Sequence, residues 1–239
     1  MMVNVKASTG APLDSNLDWD QINWANAWKT VNRLQIRIAK AFEAKKFGKV
    51  KSLTWLLTHS HSAKLLAVKK VMSNKGAKTP GTDSVVIRTG EEKVKLASSL
   101  KHHSYKAKPL RRIYIPKKNG DKRPLGIPTI KCRAMQALYL LAFEPIVESK
   151  ADPNSYGFRP YRSCADAIQQ CFVCFAKKSS SKWCLEGDIK SCFDKISHKW
   201  LLDNIPIHNR ILKQWLSSGF IENKSLFPTS EGTPQGGII

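Results

Sequence analysis

Acid is what this chain is short of. Eighteen Asp and Glu face forty Lys and Arg, a formal net charge of +22. Between Gln21 and Thr82 stand thirteen basic residues and one acid, Glu43; between Lys93 and Phe143 stand thirteen more and one acid, Asp121. Single-sign stretches this long imply a polyanionic partner, nucleic acid before membrane, against the alternative of a merely cationic soluble protein. No apolar run nears eighteen residues and no signal peptide is present, so no membrane span is encoded and a cytosolic compartment follows by default. Zinc chemistry is also missing. Cys171 and Cys174 form a CxxC without a second pair or a histidine couple, and a zinc site needs about four ligands. The six cysteines (Cys132, Cys164, Cys171, Cys174, Cys184, Cys192) sit in apolar runs, where reduced and mostly buried thiols are expected. His59 and His61 would not share a helix face, and His102 and His103 are adjacent, so the histidines make no ligand set. No internal repeat occurs, and the one low-complexity tract, 177–182, reads as a loop.

What is there patterns as an α+β protein. Residues 1–18 are polar and turn-rich, as a loose tail would be. From Asp20 to Lys46 the period is helical: Trp24, Trp28, Val31, Leu34, Ile38 and Phe42 share one face, and Lys29, Arg33, Arg37 and Lys40 the other. A solvated face normally mixes signs; this one is purely basic. Gly48 is expected to break that helix, with a second helix from Val50 to Met72 forming a hairpin with it. A turn-rich connector, 74–83, precedes a third helix near Glu92 to His103. Arg111–Pro116 alternates like a strand, Asn119-Gly120 suits a hairpin turn, and Arg123–Pro128 returns, with Pro124 marking an edge strand. Helices are expected at Ile130 to Val147, Ser163 to Lys177, Ser197 to Asn204 and His208 to Ser218. A strand is expected at Lys182 to Glu186, and a strand pair from Phe220 to Phe227.

The chemistry concentrates in two runs, Asp188-Ile-Lys-Ser-Cys-Phe-Asp194 and Glu231-Gly-Thr-Pro-Gln-Gly-Gly237. Asp188, at the end of an apolar strand with the Ile189 carbonyl beside it, suits one corner of a Mg²⁺ site, which prefers hard oxygen ligands; alternatively it caps the next helix. Asp194 reads as a helix cap, as does Ser197. Phe193 is either core or a ring placed under a nucleotide sugar, where it would exclude a 2′-hydroxyl by contact. Lys117 and Arg123 flank the hairpin turn and can close over a triphosphate, Arg as a fork and Lys as a point charge; a solvated hairpin tip is the plain alternative. Gln235 lies in a glycine turn that lets backbone approach a ligand, or in a turn only. Arg159, in Tyr156-Gly-Phe-Arg-Pro160, offers stacking and phosphate contact for a template strand, or belongs to a packed loop.

Taken in this order, the basic N-terminal region, Arg111–Pro116, Arg123–Pro128 with Ile130–Gln136, Tyr156–Pro160, Asp188–Asp194 and Glu231–Gly237 resemble the group II intron reverse transcriptase (maturase) family. The match runs from about residue 19 onward. The resemblance implies a right-hand polymerase: a basic helical N-terminal region over 19–82, then fingers and an incomplete palm over 83–239. It implies Asp188 as the catalytic Mg²⁺ ligand with the Ile189 carbonyl, Lys117 and Arg123 on the incoming triphosphate, Phe193 as sugar gate, and Gln235 near the nascent base pair. It also implies that the N-terminal region, through Lys29, Arg33, Arg37 and Lys40, binds intron RNA. Partners would be intron RNA, an RNA template with DNA primer, and deoxynucleoside triphosphates. Family members carry a Tyr-Ala-Asp-Asp motif after the Pro-Gln-Gly turn, and these 239 residues hold none. The expectation is therefore a piece that does not polymerise alone: a truncated copy, a deliberate fragment, or the N-terminal part of a split gene with a C-terminal companion.

Three functions compete. One is part of an RNA-directed DNA polymerase. Another is an inactive RNA-binding fragment that assists intron folding and splicing. The third, an unrelated basic RNA-binding protein, does not account for the ordered motifs.

Overall fold

The computed structural model describes residues 18–118 and 120–238; Asn119, Ile239 and the expected tail over 1–18, except Asp18, lie outside them. Among the described residues the fold is α+β: eight α-helices and one four-stranded sheet. No helix among them is long and apolar enough to cross a membrane.

Helices carry the first hundred residues. The short 3-10 turn Trp19–Gln21 is capped by Asp18 and leads into α1, Trp24–Glu43, capped by Asn23. Helix α1 buries Ala27, Val31, Ile38 and Ala41 and leaves Lys29, Arg33, Arg37 and Lys40 in solvent. Trp28, expected inside, is half exposed. The single helix expected over 50–72 is two: α2, Phe47–His59, and α3, His61–Ser73. Ser60 explains the split. It sits in extended backbone, ends α2, and accepts a hydrogen bond from the Ala63 N–H to start α3, a use of serine that competes with helix continuation. Nor does Gly48 break the first helix; it lies in the opening turn of α2. The chain turns earlier, at Lys45, which is left-handed at φ 54°. A capping box at Thr89 and Glu92 opens α4, Gly90–Ser98, which stops short of the expected His103.

Strands β1, Leu110–Pro116, and β2, Lys122–Ile127, form the expected hairpin, with Arg112 opposite Gly126 and Pro116 opposite Lys122. Pro124 lies on the outer strand, where its missing N–H costs no ladder bond. Helix α5, Ile130–Lys150, is the buried hub of the molecule. The connector 74–83 wraps its start: Arg133 donates to the carbonyls of Gly76, at 2.7 Å, and Thr79. A Cβ at Gly81 would stand 2.6 Å from the Thr129 Cα, so only glycine lets the connector this close. Beyond α5 come α6, Cys164–Phe175; α7, His198–Asn204; α8, Asn209–Leu216; and the short strands β3, Phe220–Glu222, and β4, Ser225–Phe227. Sheet order is β2-β1-β3-β4, with β3 parallel to β1.

One core joins residues 19–146 to α8. A ladder of rings crosses it: Trp55, His59, His102, Tyr139 and Trp215, with successive centroids 4.1, 4.2, 5.5 and 5.5 Å apart. The Trp215 ring N–H then donates to the Tyr105 hydroxyl at 2.8 Å. Histidines that show no ligand spacing in sequence thus serve as packing.

From 147 to 206, by contrast, no residue is buried. The strand expected over 182–186 does not form. No strand lies beside it among the described residues, and a strand is held by its ladder. Asp188 therefore lies in an exposed segment without regular secondary structure, not at a strand end. The cysteine reading changes for the same reason: Cys132 is buried, and the other five are exposed.

Candidate functional site

A cavity of about 490 Å³ opens between the hairpin, the 188–194 segment and the 229–235 turn. That size is usual for small-molecule sites. Its walls bring together Lys117, Arg123, Asp188, Ile189, Phe193 and Gln235, six residues singled out in the sequence.

Each wall has its own anchor. On the hairpin side, the Lys117 N–H donates to the Asp121 carbonyl at 2.7 Å, closing the turn that presents Lys117 and Arg123. Arg112, further along β1 and opposite Gly126, also lines the cavity, with its guanidinium 3.8 Å from the Phe220 ring centre. Sequence reading passed over Arg112; its signal was the strand alternation that sets it, unlike Arg111, on the cavity face. Cations thus line the cavity from the hairpin, and the acidic residues Asp188, Asp194 and Glu231 line it from the other two segments. A triphosphate with a metal ion has that same polarity.

The opposite wall kinks sharply. Ser191 is left-handed (φ 53°, ψ 37°) and starts the 3-10 turn Cys192–Asp194, which carries Phe193 at the aperture. Asp194 does not cap the following helix; Ser197 does, accepting from the Trp200 N–H. The glycine turn is bonded to this wall. The Gly232 N–H donates to Ile196 O at 2.8 Å, the Thr233 N–H to Phe193 O at 2.7 Å, and the His198 Nε2 lies 2.7 Å from Gly232 O. Gly232 is left-handed at φ 78°, and a Cβ there would meet Asp194 O at 2.7 Å and Phe193 O at 2.8 Å. The turn's other end grips the sheet: the Gly126 N–H donates to Gln235 O at 2.8 Å. One turn therefore fixes Phe193, Gln235 and β2 relative to one another.

Arg159 lies elsewhere. Its guanidinium pairs with Glu148 at 2.7 Å and donates to the carbonyls of Asp152 and Ser155, and the side chain is 9% exposed. The hydrogen bonds from Arg159 hold the Glu148 carboxyl below the usual range. Lys29, Arg33, Arg37 and Lys40 form the solvent face of α1, away from the cavity. No cluster of three or more potential metal-binding His, Cys, Asp or Glu side chains occurs among the described residues.

Comparison with known proteins follows this geometry. Residues 19–100 match the model of the N-terminal domain of reverse transcriptase, and residues 115–239 match that of reverse transcriptase (RNA-dependent DNA polymerase). The group II intron-encoded protein LtrA of Lactococcus lactis is 39% identical over 73% of this chain and 30% of its own length. Protein YkfC of Escherichia coli is 38% identical over 72% of this chain and 49% of its own length. A 91 kDa protein in a Schizosaccharomyces pombe cob intron is 33% identical over 73% of this chain and 22% of its own length. The chain thus spans from about a fifth to a half of the relatives it matches. It belongs to the reverse transcriptase (RNA-dependent DNA polymerase) family, among the group II intron-encoded members.

Proposed function

We propose that this chain carries the nucleotide-binding surface of an RNA-directed DNA polymerase, with fingers and part of a palm over 83–239 and a basic RNA-binding region over 19–82. One observation carries the reading: residues from the hairpin, the 188–194 segment and the 231–237 turn converge on a single cavity with cations on one side and acids on the other. Lys117 and Arg123 hold the triphosphate of a deoxynucleotide, Phe193 contacts its sugar, and Gln235 borders the base pair. The donors suit Mg²⁺. Asp188 and the Ile189 carbonyl are hard oxygens, and Mg²⁺ is commonly held by one or two carboxylates together with substrate phosphates and water. When bound, the ion neutralises charge on the reacting phosphate oxygens. The chain's own share is to orient the triphosphate and to exclude the wrong sugar.

The test is equilibrium binding of a labelled deoxynucleoside triphosphate to the 239-residue protein, with and without Mg²⁺. Saturable binding is expected. Lys117→Ala and Arg123→Ala should each weaken it about tenfold, as for loss of one charged hydrogen bond. Asp188→Ala should remove the Mg²⁺ dependence. Affinity indifferent to all three substitutions sinks the assignment.

A specific observation also favours the reading that the chain binds intron RNA: α1 exposes Lys29, Arg33, Arg37 and Lys40 together, with Glu43 as the one acid, at its last residue. The two readings use different surfaces and are compatible.

A further inference from the structure

A second cavity, about 170 Å³, lies where α1 turns into α2. Arg37 and Lys40 line it from α1, and Lys46 and Lys49 from the corner and α2; no carboxylate does. All four cations are exposed, and the ion pairs found among the described residues lie elsewhere. Capping α1 is not their task, because backbone already does it. The N–H groups of Ala44, Lys45 and Lys46 donate to the carbonyls of Lys40, Phe42 and Ala41 at 3.1, 2.8 and 2.9 Å. Alkyl stems make most of the walls, so the charged heads stand around the mouth; Glu43, close by in sequence, is not among the lining residues. Four like charges around one mouth repel, and an anion relieves them. The volume holds about five waters at liquid density, room for a phosphate group but not for a nucleotide.

Beside these cations stands Phe47, the first residue of α2, 61% exposed. Its ring meets Phe42 edge-on at 5.9 Å, so one contact steadies it while most of it stays in water. An exposed ring beside cations gathered at one corner is the pairing that single-stranded nucleic acid recognises, base on ring and backbone on cation.

We propose that the α1–α2 corner binds one unpaired RNA nucleotide, its phosphate in the cavity of Arg37, Lys40, Lys46 and Lys49 and its base on Phe47. The proposal rests on the reading of the N-terminal region as an RNA-binding region and narrows it. Lys29 and Arg33, on the same face of α1 but outside the cavity, become secondary.

Fluorescence anisotropy on the full chain tests this with two probes of equal charge, an RNA hairpin with an unpaired loop and a blunt RNA duplex. Circular dichroism verifies that each variant is folded. Lys46→Glu with Lys49→Glu should weaken both probes tenfold or more, and more than Lys29→Glu with Arg33→Glu. Phe47→Ala should weaken the hairpin roughly 5- to 150-fold, the stacking range for one base, and leave the duplex unchanged, while Phe47→Trp keeps hairpin affinity. Inorganic phosphate at millimolar concentration should compete only weakly, since it lacks the base. Equal losses on both probes for Phe47→Ala, a larger effect from Lys29 and Arg33, or full competition by phosphate would overturn the corner site alone. An unmodified protein that binds neither probe overturns the RNA-binding reading and this site with it.

Discussion

Phe193 is 47% exposed, which separates the two roles open to its ring. A core phenylalanine cut to valine would lose on the order of 1–3 kcal/mol. At this exposure Phe193→Val should shift stability by only about 0.5 kcal/mol, while the preference for a deoxy- over a ribonucleoside triphosphate narrows. Denaturant melts beside paired binding titrations measure both, and an unchanged preference in a folded variant removes the sugar contact. Gly232 is the opposite kind of residue. Its left-handed backbone and the oxygens crowding its missing Cβ leave no room for alanine. Gly232→Ala should destabilise by about 1–3 kcal/mol and weaken nucleotide binding along with it. His102 gives a pH signature. Burial first, then the charges of His59 and Lys64, lower its pKa from 6.5 to about 4. The unfolded chain takes up this proton near 6.5 and the folded chain only near 4. Stability should therefore fall as pH drops from 6.5 towards 4, with no contribution from this group above that window. His102→Gln should flatten that part of the profile in urea melts at each pH; an unaltered slope assigns it to other groups.

Elements show which signals sequence carries. Helix α1 and the β1–β2 hairpin were legible because their patterns are local: a helical apolar stripe, an Asn-Gly turn, a proline on the outer strand. The break at Ser60 was not, because the apolar period runs through it and serine's cap competes only once the chain bends onto α5. Ser60→Ala should cost about 1 kcal/mol, typical of a lost N-cap, readable in the midpoint of a urea melt. The 182–186 segment did not form a strand because no strand among the described residues pairs with it; strand character is a property of pairs. Cysteine burial failed with it. The six cavity residues could be named from motifs, whereas Arg112 emerged only with the register of β1. For α1, four exposed cations on one face, against one acid at the helix end, imply phosphate contacts. If about six are made, log affinity for RNA should fall against log salt with a slope near −4 to −5. A flat filter-binding series would refute this.

Across the whole molecule, buried side chains divide unevenly. Residues 19–146 and α8 share one core; the 147–206 stretch between them has no fully buried residue and touches that core only through Leu201, Leu202 and Ile205 near its end. Brief proteolysis should cut within that stretch first, since exposed segments poor in contacts open most readily. The two products should still elute together. Helix α8 stays docked through the Trp215–Tyr105 bond, the Gln214 side chain on the Ala107 N–H at 2.9 Å, and Arg210 on the His103 carbonyl at 2.9 Å. Immediate separation of the fragments on size exclusion would contradict this arrangement.

The same unevenness bears on what fills the larger cavity. Asp188, Ile189 and Phe193 are held by one left-handed serine and a few backbone bonds to the glycine turn, not by a hydrophobic interior. A nucleotide settling there would act as interior for that arm, giving its exposed groups their first close neighbours. Ligand and arm would then melt as one unit, so the melting temperature should climb with the logarithm of nucleotide concentration, and protease should slow at 182–193 before anywhere else.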